Sequence, residues 1–209
     1  MRRLRPAVAR SLAALVLLSL TLAAGCGEDD EDERPAAGNP IDRAFAAGMV
    51  PHHEGAVDMA RIAKGEARHR ELRSLADAII ASQTAEIRTL RREDRQLGEE
   101  GVRKGDLGLG RHAMGMDHDV HELRSTKQFD RAFIDMMVPH HEGAIRMSRI
   151  ELKQGEDAEL RRLAREIIAA QEREIREMRE WRKDWYGASG GKSGHGHPGH
   201  GHPGHVGHL

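Results

Sequence analysis

Residues 42–56 have the sequence DRAFAAGMVPHHEGA, and residues 130–144 have the sequence DRAFIDMMVPHHEGA. The offset of 88 residues continues without a gap beyond these stretches, and 28 of the 50 positions from 42 to 91 are identical to their counterparts from 130 to 179. Self-similarity over this length indicates a duplicated structural unit. The sequence therefore predicts two related units, at residues 42–97 and 130–185.

Each unit repeats apolar side chains at the three- and four-residue steps of one helical face. In the first unit, one stripe contains Phe45, Met49, His52, Ala56, Met59 and Ala63, and a second contains Leu72, Leu75, Ala76, Ile79, Ile80, Gln83, Ile87 and Leu90. Each unit is thus predicted to be a helical hairpin, with a turn at Gly65 in the first and at Gly155 to Asp157 in the second. A loop at residues 97–115 and a short helix at 118–124 are predicted between them. Two such hairpins can bury their stripes together, which predicts one all-α four-helix bundle domain at residues 39–186.

Composition excludes several classes of protein. Aromatic residues make up 3% of the chain, too few for an ordinary β-sandwich. The formal net charge is −1, which argues against a nucleic-acid partner. The single cysteine excludes both a disulfide framework and a cysteine-based zinc site.

Both ends of the chain differ from the predicted domain. Residues 1–26 combine an arginine-rich start, an apolar stretch and small residues before Cys26, as an export signal does. This ending resembles a bacterial lipobox, which implies lipidation of Cys26 and attachment to the outer side of the cell membrane. An incidental cysteine after a plain signal peptide, or a membrane-spanning anchor, is the alternative. Residues 27–38 form an acidic tether, and residues 187–209 form a predicted disordered tail of His, Gly and Pro.

The repeated motif places thioethers and imidazoles one helical turn apart. Met49 precedes His52 and His53 by three and four residues, and Met137 has the same relation to His140 and His141. Met59 and Met147 follow on the same helices, while Pro51 and Pro139 predict a kink beside each histidine pair. Imidazole with thioether is a ligand set of copper, and methionine favours Cu(I).

Further candidate metal ligands lie outside the two units. The segment between them contributes Met114, Met116 and His118, and the tail contributes six histidines for Cu(II): His195, His197, His200, His202, His205 and His208. Carboxylates at Glu54, Glu86, Glu142 and Glu174 are also expected near the motif. Zinc is the alternative metal. A lone histidine or methionine at core spacing is more often a packed core residue, but a Gly-Pro-His tract cannot build a core.

The motifs resemble those of the domain-of-unknown-function 305 family over residues 39–186. The family pattern of Asp, Phe, Met, His-His, Ala and Met on one helix, then Gln-x-x-Glu-Ile on the next, is similar to residues 42–60 with 83–90 and to 130–148 with 171–181. The resemblance implies an exported bacterial protein with a ferritin-like helical bundle and, for some members, copper binding. It implies as functional residues Met49, His52, His53, Met59, Met137, His140, His141 and Met147. Ser148, where the first repeat has Ala60, is a mild departure from the pattern.

Three classes of function remain at this point. The first is an exported, lipid-anchored protein that sequesters or transfers copper. The second is a helical module that binds a partner protein at the cell surface without metal. The third is a ferritin-like metalloenzyme. The sequence favours the first and a protein that is not an enzyme, because it contains no nucleophile or phosphate-loop motif.

Overall fold

The computed structural model describes residues 38–117 and 120–187. This part of the chain is helical and contains no strand, which confirms the predicted all-α class. Its helices are α1 (Pro40–Glu66), α2 (Arg70–Glu99), α3 (Val120–Ser125), α4 (Phe129–Gln154) and α5 (Ala158–Tyr186). Within these residues, no helix combines the length and the apolar character that crossing a membrane requires.

Local sequence signals account for the starts of α1 and α5. Asn39 caps α1 by accepting hydrogen bonds from the backbone N–H groups of Ile41 and Asp42, and Pro40 occupies the first helical position. Asp157 caps α5 through the N–H of Leu160. The turn predicted at Gly65 is wrong, because α1 continues through this glycine and ends at Glu66. The loop predicted from residue 97 also begins three residues too early, since α2 extends to Glu99.

The helices α1 and α4 contact each other in the middle of the bundle, while α2 packs on α1 and α5 packs on α4. Two hydrophobic clusters fill the space between them. The first contains the second half of α1 with the first half of α4, and includes Phe129, Phe133 and Leu72. The second contains the first half of α1 with the second half of α4, and includes Phe45, Leu90 and Leu160. The midpoints of α1 and α4 therefore lie between two apolar cores.

Buried aspartates connect the two hairpins reciprocally. Asp42 at the start of α1 accepts hydrogen bonds from the backbone N–H groups of Glu156 and Asp157, in the turn between α4 and α5. At the positions 88 residues away, Asp130 accepts from the N–H groups of Arg68 and His69, in the turn between α1 and α2. Each hairpin thus supplies the acceptor that the other hairpin's turn needs.

One buried carboxyl breaks this equivalence. Glu151 on α4 is fully buried, and the corresponding residue of the first repeat is Ala63. Its carboxyl lies beside that of Asp42, and both are close to Gly155. A Cβ placed on Gly155 would be 2.3 Å from Glu151 Oε1 and 2.6 Å from Asp42 Oδ1. Burial, together with the neighbouring Asp42, raises the pKa of Glu151 to about 9. Glu151 therefore holds its proton at neutral pH.

Candidate metal centre

Four buried imidazoles lie at the midpoints of α1 and α4 and form what we call the histidine cluster: His52, His53, His140 and His141. None is more than 4% exposed. The ring centroids of His52 and His140 are 3.8 Å apart, with 40° between the ring planes. The two histidine pairs, 88 residues apart in sequence, are thus brought into direct contact.

The outer imidazoles of the cluster each face a carboxylate. His141 Nε2 donates a hydrogen bond to Glu174 Oε2 at 2.6 Å, and His53 Nε2 lies 2.7 Å from Glu86 Oε2. In both rings Nδ1 is buried and has no hydrogen-bond partner among the described residues. Histidines that bind metal through one nitrogen commonly donate the other N–H to a carboxylate, which fixes the tautomer. His53 and His141 therefore have the surroundings of metal-ligating imidazoles.

The inner imidazole of α1 is held by backbone instead. His52 Nε2 donates to the carbonyl oxygen of Met114 at 2.8 Å, while its Nδ1 is buried without a partner in the described structure. Burial, and secondarily the charge that His53 can carry, lowers the pKa of His52 to about 3. The ring is consequently neutral at physiological pH, which is the form that binds metal ions.

The segment that reaches His52 is pressed against α4, and we call residues 111–116 the linker strap. A Cβ on Gly143 would lie 1.8 Å from the Met114 oxygen, and a Cβ on Gly115 would lie 2.3 Å from the Pro139 oxygen. Gly115 also has a φ of +67°, which favours glycine. The sequence motifs do not predict this contact. Its one signal was the glycine that follows both His-His-Glu motifs inside a helix, since such a glycine often permits close approach.

The four motif methionines flank the histidine cluster in pairs that mix the repeats. Met59 and Met137 belong to the first hydrophobic cluster, whereas Met49 and Met147 belong to the second. All four are at most 2% exposed. The fold thus places a methionine of each repeat on both sides of the imidazoles.

The other predicted ligands occupy different surroundings. Glu54 and Glu142 form ion pairs with Arg91 and Arg179 at the surface. Met114 and Met116 lie in the linker strap, where both are half-buried. Three groups fall outside the described residues: Cys26, His118 and the tail histidines His195, His197, His200, His202, His205 and His208.

The donor set decides which ions this centre fits. No three His, Cys, Asp or Glu side chains of the described residues are arranged to hold a metal ion. A site for a hard ion or for tetrahedral zinc is therefore not preformed in this part of the chain. The buried nitrogens that have no hydrogen-bond partner include the Nδ1 atoms of His52, His53 and His141, and buried thioethers lie on either side. This combination suits a soft ion such as Cu(I), which accepts few ligands and binds sulfur well.

The sequence profile of the family described as "Domain of unknown function (DUF305)" matches residues 26–93 and 42–182. The chain belongs to this family. The resemblance noted from the His-His motifs is thereby confirmed. No curated protein matches the chain in sequence.

Several solved structures are similar to the bundle. CopM in its Cu(I)-bound form is 34% identical, with a TM-score of 0.61, over 70% of this chain and 98% of that chain. CopM in its Cu(II)-bound form is 35% identical, with a TM-score of 0.62, over 69% of this chain and 97% of that chain. A DUF305 fragment from Deinococcus radiodurans is 30% identical, with a TM-score of 0.59, over 70% of this chain and 98% of that chain. The family and its all-α fold are therefore shown for this chain.

Proposed function

We propose that this protein binds Cu(I) outside the cytoplasm and sequesters it or passes it on. One observation carries the proposal: buried imidazoles with partnerless Nδ1 atoms lie between two pairs of buried methionines. A buried polar nitrogen without a hydrogen bond costs stability in an ordinary core. A bound metal ion would give these nitrogens a partner. The similarity to CopM, solved in copper-bound forms, supports the same choice of ion.

The site suits simple binding of a metal ion better than the chemistry of a di-iron enzyme. Di-iron bundles hold their metals with Glu and Glu-x-x-His motifs that project from the helices. The chain has one Glu-x-x-His sequence, from Glu66 to His69, and it spans the turn between α1 and α2. There His69 Nδ1 lies 2.6 Å from Asp130 Oδ2, away from the histidine cluster. The function proposed is therefore binding, with no catalytic step.

Membrane attachment is a second part of the proposal and is supported by sequence alone. The stretch that ends in Cys26 resembles a lipobox, and the acidic residues that follow would keep the bundle away from anionic headgroups. A lipid-anchored protein with a histidine-rich tail would collect Cu(II) near the membrane surface, and the bundle would hold Cu(I).

The double variant His53→Ala with His141→Ala tests the metal centre in the full-length protein. It removes the two imidazoles that face carboxylates, and alanine favours the helix. We expect Cu(I) affinity, measured by competition with a chromophoric chelator, to fall at least about tenfold. His112→Ala is the matched control, because this imidazole is 98% exposed and lies outside the cluster. Unchanged Cu(I) affinity together with a lower Tm would show that the imidazoles are packed core residues and would refute the proposal.

A further inference from the structure

A cavity of about 180 Å³, open to solvent, lies between α1 and the linker strap. Met59, Met116 and His140 are in its wall, so two thioethers and one imidazole line the same space. Gly55 forms the floor beside His140, since a Cβ at this position would be 3.6 Å from His140 Nε2. The cavity thus leads from solvent to one of the two rings that are in contact in the histidine cluster.

In the other half of the bundle, the linker strap fills the position equivalent to this cavity. The counterparts of Gly55, Met59 and His140, 88 residues away, are Gly143, Met147 and His52. The Met114 carbonyl lies against Gly143 and accepts a hydrogen bond from His52 Nε2. The linker strap therefore closes one of two equivalent approaches to the histidine cluster and adds the Met116 side chain to the other.

The residues that line the open approach favour a monovalent ion as well as a soft one. No carboxylate is part of the wall, and Arg111 is. The Arg111 guanidinium donates to the Met116 carbonyl at 2.8 Å, which keeps a positive charge beside the cavity. A nearby fixed cation repels a divalent ion about twice as strongly as a monovalent one. Thioethers moreover bind soft ions and leave hard ones in water.

We propose that Met59, Met116 and His140 form a binding site for a soft monovalent metal ion at this open approach. The ion reaches the histidine cluster from this side, through the ring of His140 that contacts His52. This inference rests on the proposed function and adds the side of entry and a ligand, Met116, that belongs to neither repeat. It makes the two halves of the centre unequal in spite of their matching sequences.

Titration with Ag(I) tests the site directly, because this ion is soft, monovalent and not oxidised in air. In full-length protein labelled with ¹³C at the methionine methyl groups, the NMR signals of Met59 and Met116 should shift within the same equivalent of added Ag(I). Met116→Leu should lower the affinity of that step at least about tenfold, as loss of a ligand does. Met136→Leu is the matched control, since Met136 is another half-buried methionine and packs on the first hydrophobic cluster.

A second variant tests access without removing a ligand. Gly55→Ala places a methyl group in van der Waals contact with His140 Nε2, so the fold accepts it and the helix gains stability. The methyl group also takes the space in front of the imidazole, and Ag(I) affinity should fall. Gly65→Ala lies in the same helix with nothing within 4 Å of the new Cβ, and it should raise Tm while leaving Ag(I) affinity unchanged.

The outcomes separate this inference from the proposed function. If Ag(I) binds and shifts other methionine methyl groups while those of Met59 and Met116 stay in place, the site at the open approach is wrong and the proposed function stands. If Ag(I) shifts no methionine methyl group and Cu(I) does not bind, both are wrong. If Gly55→Ala binds Ag(I) as tightly as Gly65→Ala, the ion does not use this approach.

Discussion

The Asp130 carboxylate accepts a hydrogen bond from the backbone N–H of His69, with 2.9 Å between the two atoms, and thereby fastens the start of α4 to the turn of the other hairpin. Asp130 is 1% exposed. Its 88-residue counterpart Asp42 holds Asp157 N–H at 3.0 Å in the same way. These two carboxylates join the hairpins, and we expect the contact between His52 and His140 to depend on them.

Replacement of Asp130 should lower the free energy of unfolding considerably. Asp130→Ala leaves the N–H groups of Arg68 and His69 without their acceptor, and we expect the free energy of unfolding to fall by about 2–4 kcal/mol. Urea unfolding followed by circular dichroism measures the change. Asp58→Ala is the control, because Asp58 is exposed and its ion pair with Arg61 is a surface pair worth little. Equal effects of the two substitutions would contradict the fastening role of Asp130.

Glu151 predicts a specific dependence of stability on pH. Its pKa is about 9 in the folded protein, against 4.5 for an ordinary glutamate. Between these values the folded chain holds a proton that the unfolded chain releases, so stability is full below pH 4.5 and falls as pH rises towards 9. The charged groups that face the same carboxyl are Asp42, Asp157 and Arg161.

Glu151→Gln removes this proton and keeps the shape of the side chain. From pH 5.5 to 7.5, the unfolding free energy of the wild type should drop by about 2–3 kcal/mol relative to the variant. Chemical unfolding of both proteins across this range is the measurement. Parallel pH profiles would show that Glu151 is ionised in the folded state.

Gly143→Ala should displace the linker strap. The new methyl carbon would fall 1.8 Å from the Met114 oxygen, a distance that the fold cannot accept, so the strap must move and the hydrogen bond to His52 is lost. We expect faster hydrogen exchange in residues 111–116 with little loss of helix. Gly65→Ala again serves as the control in a helix. Unchanged exchange in the strap would contradict the contact.

Cys26 predicts the location of the mature protein. Cys26→Ser removes the thiol that lipidation requires, so the variant should leave the membrane fraction on cell fractionation. A variant that stays in the membrane as fully as the wild type would refute the lipobox assignment.

The tail predicts a separate Cu(II) capacity. Deletion of residues 195–209 removes six histidines and almost no apolar side chains. Cu(II) stoichiometry should therefore fall, while the Tm of the metal-free protein stays the same. A large drop in Tm, or an unchanged stoichiometry, would contradict this independence.

Periodicity predicted the buried faces well, because the step of a helix determines which side chains share a face. Phe45, Met49, His52 and Met59 are all buried as expected. The boundary at Gly65 was wrong, since a glycine weakens a helix without ending it. The turns lie where their backbone N–H groups donate hydrogen bonds to Asp42 and Asp130.

The chemistry of the site was predicted in kind, and its arrangement only in part. The sequence identified imidazoles and thioethers, but the pairing of the methionines across repeats depends on how α1 crosses α4, and local spacing carries no information on that crossing. The hydrogen bond that His52 donates to the Met114 carbonyl was equally hidden, because a backbone carbonyl leaves no residue type as a signal. The repeated glycines at 55 and 143 were the nearest trace of it.

The mixed methionine pairs have a consequence for the origin of the chain. A single hairpin of this sequence contains one member of each pair, one of the two contacting rings and the acceptor for a turn that it lacks. Such an ancestor could assemble the centre only as a symmetric homodimer, in which every substitution appears twice. After fusion of the two copies, a substitution in one half no longer appeared in the other. A glutamate could then replace alanine on one side only, and the connecting segment could cover one opening and leave its twin exposed.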